Sequence, residues 1–390
     1  MATLVIFILI LGLLVFVHEF GHFLVARTFG MKVNEFGLGF PPRAFGWYTD
    51  PKTGKRTFVC GRGKDGLKET IVGEETKHEY PSTLYTVNWL PLGGFVRIKG
   101  ETGEKASEAD SFAGKPAWQR TLVLVAGVTM NFLLAAIVLG IGFMIGLPAD
   151  TSILEDKQAI LVGTPHAVVQ QVEEGSPADL AGLRIRDAIL SINGEIMADS
   201  RAVQEFVAAH SSDSLSVVAE RGGEELTFTL VPSVLEGMED RPRIGVLLLD
   251  AAIVRYPWYL ALFKGFGAAF WGAINITLAF ALLIKNLVLG QGLAFDVAGP
   301  VGIAVLIGES ARLGISYLLN ITAMISLSLA VINILPIPAL DGGRVLFIAI
   351  EKLIRRPVPM KYEQLAHTIG FVLLMALIVV VTWRDIVALF

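Results

Sequence analysis

Leu13-Leu14-Val15-Phe16-Val17-His18-Glu19-Phe20-Gly21-His22-Phe23-Leu24-Val25-Ala26 sets three ionisable side chains inside a run that is otherwise apolar from residue 2 onward. His18-Glu19-Phe20-Gly21-His22 fits H-E-x-x-H. On a helix, positions i and i+4 share one face, so both imidazoles can reach one metal ion with the glutamate beside them. A motif this short can arise by chance on a solvated helix face. Within an apolar span chance is a poor explanation, because a charge near mid-bilayer costs about 2.5–3.5 kcal/mol unless a metal or a water cavity compensates. The residue types therefore mark His18 and His22 as imidazole ligands of Zn2+ and Glu19 as the general base toward the attacking water.

The rest of the chain fits a membrane setting. Of its 390 residues 53% are apolar and 17% charged, well below the roughly 25% charged share of a soluble domain. The net charge of −4 and the dispersed basic residues exclude a nucleic-acid footprint. One cysteine, Cys60, allows neither an internal disulfide nor a cysteine-based metal site, so any metal must be held by His, Asp or Glu.

A helix crossing about 30 Å of hydrocarbon needs roughly 20 apolar residues. Runs 122–147 and 313–340 carry no charge, and 364–383 carries none apart from the titratable His367. The N-terminal run has no basic start and leads into His18, so it reads as a retained span rather than a cleaved signal peptide. Residues 28–120 hold 14 Lys and Arg against 8 in 148–256. The positive-inside rule then puts 28–120 in the cytoplasm and 148–256 outside, with Arg344, Lys352, Arg355, Arg356 and Lys361 marking a second cytoplasmic loop.

Two histidines leave a zinc site short of a protein ligand. The candidate is Asp341, after a span broken by Pro336 and Pro338. Asp341-Gly342-Gly343 taken alone also reads as an ordinary turn. With four spans the first and third run the same way and bring Asp341 to the depth of His18 and His22. A fifth crossing within 251–312 would put it on the other side. That stretch, including the uncharged run 265–284, is therefore expected to be an interfacial or re-entrant helical segment.

These residues, in this layout, resemble the site-2 protease family of intramembrane zinc metalloproteases, in particular the bacterial regulator-of-sigma-E type. The resemblance implies that His18, His22 and Asp341 bind zinc, that Glu19 is catalytic, and that the site is sequestered from lipid in a bacterial inner membrane. Gly127-Val128-Thr129-Met130-Asn131-Phe132 resembles the family's Gly-x-x-x-Asn-Phe element. Asn131 and Asn333 are implied as substrate-binding residues, although helix–helix hydrogen bonding would equally account for Asn131. Pro91-Leu92-Gly93-Gly94-Phe95-Val96-Arg97-Ile98 resembles the family's membrane-associated β-hairpin, whose edge would add substrate as a strand; Gly93 and Gly94 enter the substrate-binding set on that ground. An ordinary hairpin would have the same sequence. Gly175–Leu183 followed by Asp187–Glu195 resembles a bacterial PDZ domain. Only one copy is present, where many sigma-E regulators carry two. Residues 46–80 read as a mobile polar insertion.

The expected fold is a polytopic α-helical membrane protein of about four transmembrane helices with an inserted β-rich PDZ domain and a membrane-associated β-hairpin. Its segments are a first span over 1–27, a cytoplasmic loop over 28–120 with the hairpin near 91–98, and a second span over 121–147. An extracytoplasmic region over 148–250 follows, with the PDZ domain at about 157–232. Beyond the interfacial segment over 251–312 come a third span over 313–340, a loop over 341–363 and a fourth span over 364–387. The expected activity is cleavage of single-span membrane proteins within the lipid bilayer, anti-sigma factors or signal-peptide remnants being the substrate classes the resemblance suggests. A membrane-anchored PDZ receptor with a structural metal would need a closed four-ligand site, and only three ligands are on offer. A transporter would show an inverted repeat, and none is apparent.

Overall fold

The computed structural model describes residues 2–60, 69–72, 75–78, 80–103, 107–150, 156–173, 175–185, 187–234, 242–290, 298–356 and 358–387. The chain divides into two compact units, Met1–Ala136 with Gly267–Gly308 and Thr322–Phe390, and Ile137–Phe266 with Glu309–Ile321.

In the first unit the apolar N-terminal run forms one unbroken helix, α1 (Ala2–Thr28), and His18 and His22 fall on its buried face. The next two strands, β1 (Val33–Thr49) and β2 (Arg56–Cys60), pair antiparallel. A short pair, β3 (Glu69–Val72) and β4 (Glu75–His78), precedes β5 (Leu84–Ile98). Both β1 and β5 are bent. Residues 35–38 of β1 pair on one side with 84–87 and on the other with 94–97, while 43–47 of β1 pair with 85–88. The stretch 91–98 is thus no isolated hairpin but the outer limb of a folded-over sheet, and it lies along α1.

The stretch 46–80 differs from the expected loop. Residues 61–68, 73, 74 and 79 of it lie outside the described residues, but β1 runs through Gly46 to Thr49 and β2 pairs with it. Val59, Tyr80 and Leu84 form a small core there with Tyr48 packed on it. Apolar side chains spaced across polar sequence supplied this register.

α2 (Ala117–Ile145) runs antiparallel to α1, since Val123 meets His22 and Asn131 meets His18. Gly21 permits the close approach: a Cβ there would lie 2.5 Å from the Ala126 carbonyl oxygen.

The second unit holds β6 (Leu147–Asp150), β7 (Ile160–Val172), α3 (Pro177–Ala181), β8 (Ala188–Ile192), β9 (Glu195–Ile196), α4 (Ser200–Ala209), β10 (Leu215–Arg221), β11 (Glu224–Leu230) and β12 (Val246–Arg255). The expected β-rich module is present as one sheet in the order β11-β10-β8-β7-β12-β6, with β9 beside β8. Its core includes Val169, Ile189, Ile192, Val203, Leu215 and Val217. Asn193 and Gly194, at φ 50 and 84, make the tight turn from β8 to β9 that Asn-Gly favours. Asp187, fully buried, is held by Arg221 at 2.6 and 2.7 Å, the kind of pairing a buried carboxylate requires.

α5 (Trp258–Val288) is 31 residues long, about 46 Å at 1.5 Å per residue. α6 (Pro300–Leu313), α7 (Ile315–Ile334), α8 (Asp341–Ile354) and α9 (Met360–Val387) complete the chain. By length and composition α1, α2, α5, α7 and α9 could each cross a membrane, so among the described residues five helices qualify where four were expected. The fifth lies in 251–312, a segment whose residues 291–297 lie outside the described set.

Within the first unit α7 runs parallel to α1. Ser326 Oγ donates to the Asn131 carbonyl at the level of His18, and Asp341, just past α7, reaches His18 itself. At the other end, α6 passes the start of α1, where a Cβ on Gly308 would touch Thr3. α9 returns antiparallel: Gly370 abuts Pro338, and Asp385 near its end accepts from the Gly302 and Gly299 amides at the start of α6.

Candidate metal centre

Histidines one helical turn apart on α1 project toward α2, and Gly127 makes room for them. A Cβ on Gly127 would lie 2.5 Å from His22 Nε2 and 2.8 Å from His18 Cε1. The hollow that receives the two imidazoles is therefore the missing side chain of Gly127.

Asp341 arrives from the opposite side of the sequence by a short loop. Pro336 and Pro338 end α7 because proline offers no amide hydrogen and excludes the helical conformation before it. The chain then turns back into α8, whose first turn is Asp341-Gly342-Gly343. Both glycines are steric necessities: a Cβ on Gly342 would lie 2.2 Å from the Leu335 carbonyl oxygen, and one on Gly343 would lie 2.4 Å from that of Ile337. Asp-Gly-Gly is more than a turn here, since the glycines let the helix start close against its own loop and aim Asp341 at α1.

Three donor atoms converge. His18 Nε2 lies 3.0 Å from Asp341 Oδ2 and 3.1 Å from His22 Nε2, and His22 Nε2 lies 3.4 Å from Asp341 Oδ2. A tetrahedral zinc with bonds of about 2.0–2.1 Å spaces its ligand atoms about 3.3–3.4 Å apart, so the triangle has the right size.

The far side of each imidazole tests the fit further. His22 Nδ1 lies 2.8 Å from the Val123 carbonyl oxygen, which can only accept, so Nδ1 carries the proton and neutral His22 presents a bare lone pair at Nε2. His18 Nδ1 faces the Asn131 amide at 3.4 Å, and the Asn131 Oδ1 atom, in a residue 1% exposed, has no hydrogen-bond partner among the described residues. Turning that amide by 180° lets Oδ1 accept from His18 Nδ1–H, which gives the orphaned oxygen a partner and frees Nε2 for a metal. The residues fit a zinc ion.

Glu19, on the adjoining face of α1, is half-buried, and its Oε2 accepts from the Val96 amide at 3.1 Å. Val96 belongs to the outer limb of β5. The sheet edge therefore touches the carboxylate that lies between the two histidines in sequence. Gly93 and Gly94 lie just before it in the same limb. Gly93 takes φ 81, and a Cβ on Gly94 would lie 2.8 Å from the Gly37 carbonyl oxygen of the neighbouring strand, so both are required by the sheet itself. Asn333 is half-buried in the last turn of α7.

Sequence reasoning missed the parts that carry no motif. The Val123 carbonyl and the Val96 amide are backbone groups, invisible in residue type. His367 was legible, as an ionisable residue in an apolar run; its Nδ1 accepts from the Ala339 amide at 2.9 Å.

The model of peptidase family M50 matches residues 6–57 and 68–377, and the chain belongs to that family. It is a zinc metalloprotease and a multi-pass membrane protein. Zinc metalloprotease RasP of Geobacillus kaustophilus is 32% identical over 444 residues, covering 98% of this chain and 97% of that one. Regulator of sigma-W protease RasP of Bacillus subtilis is 30% identical over 444 residues, covering 100% and 99%. The PDZ domain of an SdrC-like protein from Listeria monocytogenes aligns with 23% of this chain and 93% of that domain, at 19% identity and a TM-score of 0.20.

Proposed function

We propose that His18, His22 and Asp341 hold the zinc and that Glu19 is the general base in hydrolysis of peptide bonds within the spans of single-pass membrane proteins. The observation that carries this reading is the triangle of donor atoms, 3.0–3.4 Å on a side, built from residues 323 positions apart. Zinc bound there supplies Lewis acidity to the scissile carbonyl and to water. Glu19 Oε2 is held by the Val96 amide, which leaves Oε1 to take the proton of the attacking water and pass it to the departing amine. Asn131 acts through His18, holding the ring by its Nδ1, rather than through substrate.

A helical peptide shields its own amides and must be drawn out before cleavage. The outer limb of β5, next to Glu19, is the sheet edge that would accept such a strand, with Gly93 and Gly94 allowing the backbone approach and the Asn333 amide, in the last turn of α7, taking a substrate backbone group. Exposed Phe40, Trp89 and Leu90 at the bends of β1 and β5 suit contact with the bilayer.

The same reading places residues 28–120 and 341–363 in the cytoplasm and the β-rich module outside. The parallel course of α1 and α7 supports having both segments on one side of the membrane without reference to the metal. If α1 and α7 run the same way and α2 runs against them, the chain between α2 and α7 leaves and re-enters on one face. Residues 251–312 then make an even number of crossings or none, and α5 serves as an interfacial or re-entrant element despite its length. By likeness to the sigma-W regulator, membrane-anchored anti-sigma factors are the first substrates to try, with signal-peptide remnants second.

The test is Glu19→Gln in the full chain, reconstituted with a single-span substrate. Zinc content should stay at the parental level while cleavage falls by several orders of magnitude. Loss of zinc together with cleavage in a folded protein would make Glu19 a ligand or an anchor instead of a base.

A further inference from the structure

The loop that delivers Asp341 has few ways to hold itself in place. Between Ile334 and Asp341, Pro336 and Pro338 have no amide hydrogen. Leu335 N donates back to the Ile332 carbonyl, Ile337 N to that of Leu335 and Leu340 N to that of Ile337. Among the described residues Ala339 N is the one amide of the loop that bonds beyond the loop and the end of α7, donating to His367 Nδ1 at 2.9 Å. Ala339 itself sits at φ 80, a conformation an L-residue adopts only when its surroundings impose it. Leu340, which caps α8, makes no side-chain cap bond.

α9 supplies the imposition. Three residues after His367 on the same helical face, Gly370 lies against the loop so closely that a Cβ would be 2.5 Å from the Pro338 carbonyl oxygen. The loop is thus pressed between the first turn of α8 and the Gly370 position of α9, and His367 pins the residue two before Asp341. Accepting at Nδ1 places the ring proton on Nε2, which is buried and has no hydrogen-bond partner among the described residues; Glu363 Oε1 is 4.0 Å away. A histidine in an apolar helix with one nitrogen unsatisfied is an expensive choice for packing alone.

We infer that His367 is a positioning residue for the zinc site: its Nδ1 holds the Ala339 amide and thereby aims the Asp341 carboxylate at His18 and His22. This rests on the reading of Asp341 as a zinc ligand. The requirement is an acceptor atom at the Nδ1 position. Asparagine carries one at the same number of bonds from the backbone, glutamine carries it one carbon farther out, and leucine carries none.

The experiment measures zinc affinity by chelator competition on the purified full chain, with Asp341→Ala as reference. His367→Leu should weaken zinc roughly 10-fold or more, the range seen when a group supporting a metal ligand is removed. His367→Gln should do likewise and His367→Asn should recover most of the parental affinity. The melting temperature of the zinc-stripped protein separates positioning from packing: positioning leaves it near the parental value, whereas packing lowers it in step with the metal-bound form. If Asp341→Ala loses zinc while His367→Leu keeps it, the role of His367 is overturned and Asp341 stands. If Asp341→Ala binds zinc as the parent does, the ligand reading fails first. Should the leucine variant not fold, the asparagine and glutamine pair decides, equal affinities in the two refuting the inference.

Discussion

Gly127→Ala is the smallest change that addresses the metal centre without touching a proposed ligand. Its methyl carbon would lie 2.5 Å from His22 Nε2, against 3.4 Å for the close limit of ordinary carbon contacts. The ring must therefore move by about 3.4 − 2.5 = 0.9 Å or the helices must part. His22 has little freedom to yield, since its Nδ1 is tethered to the carbonyl of Val123, one turn before Gly127 on α2. A misplacement of about 1 Å at a reacting centre costs roughly 100-fold in rate, about 2.7 kcal/mol of barrier. The backbone effect has the opposite sign, because alanine favours a helix interior over glycine by about 0.5–1 kcal/mol. The variant should consequently fold, bind zinc more weakly and cleave a reconstituted single-span substrate about 100-fold more slowly. Chelator competition and a gel-based cleavage assay read the two losses. Parental zinc affinity and parental rate in a folded Gly127→Ala protein would mean that the imidazoles do not rest in the hollow at Gly127.

Two further outcomes follow from the same geometry. Asn131→Leu should lower zinc affinity roughly 10-fold while Asn131→Asp preserves it, because the carboxylate still accepts from His18 Nδ1; unchanged zinc affinity with a raised KM would return Asn131 to the substrate. Replacing residues 157–232 by a short flexible linker should leave zinc binding intact and selectively improve cleavage of substrates with untrimmed outer domains. Equal loss for long and pre-trimmed substrates would instead show that the β-rich module recruits them by a peptide end.

Much of this molecule is local and therefore readable from residue order. The helical period joins His18, Glu19 and His22 within one turn, and the apolar length of α1, α2, α7 and α9 follows from the thickness of a bilayer. Asn193-Gly194 dictates its own turn. The length of α5 was equally open to view, but hydropathy measures suitability for lipid and not direction of travel. The parallel run of α1 and α7 came only from contacts such as Gly308 with Thr3 at one end and Ser326 with Asn131, beside His18, at the other.

The site divides along the same line. Sequence by itself determined which side chains could bind a metal, because H-E-x-x-H carries its geometry within five residues, a single cysteine excluded a cysteine-based site, and the proline-broken span before Asp341 singled out a third donor. Tertiary structure decided how those side chains are held. The bent pairing of β1 with β5 brings the Val96 amide to Glu19, the close approach of α2 brings Val123 and Asn131 behind the imidazoles, and α9 brings His367 to Ala339. Each of these contacts joins segments from 28 to 113 residues apart, and three of the four are made by backbone amide or carbonyl groups. Their specificity lies in where the chain returns, which is set by the packing of whole helices and strands and not by the identity of any one residue.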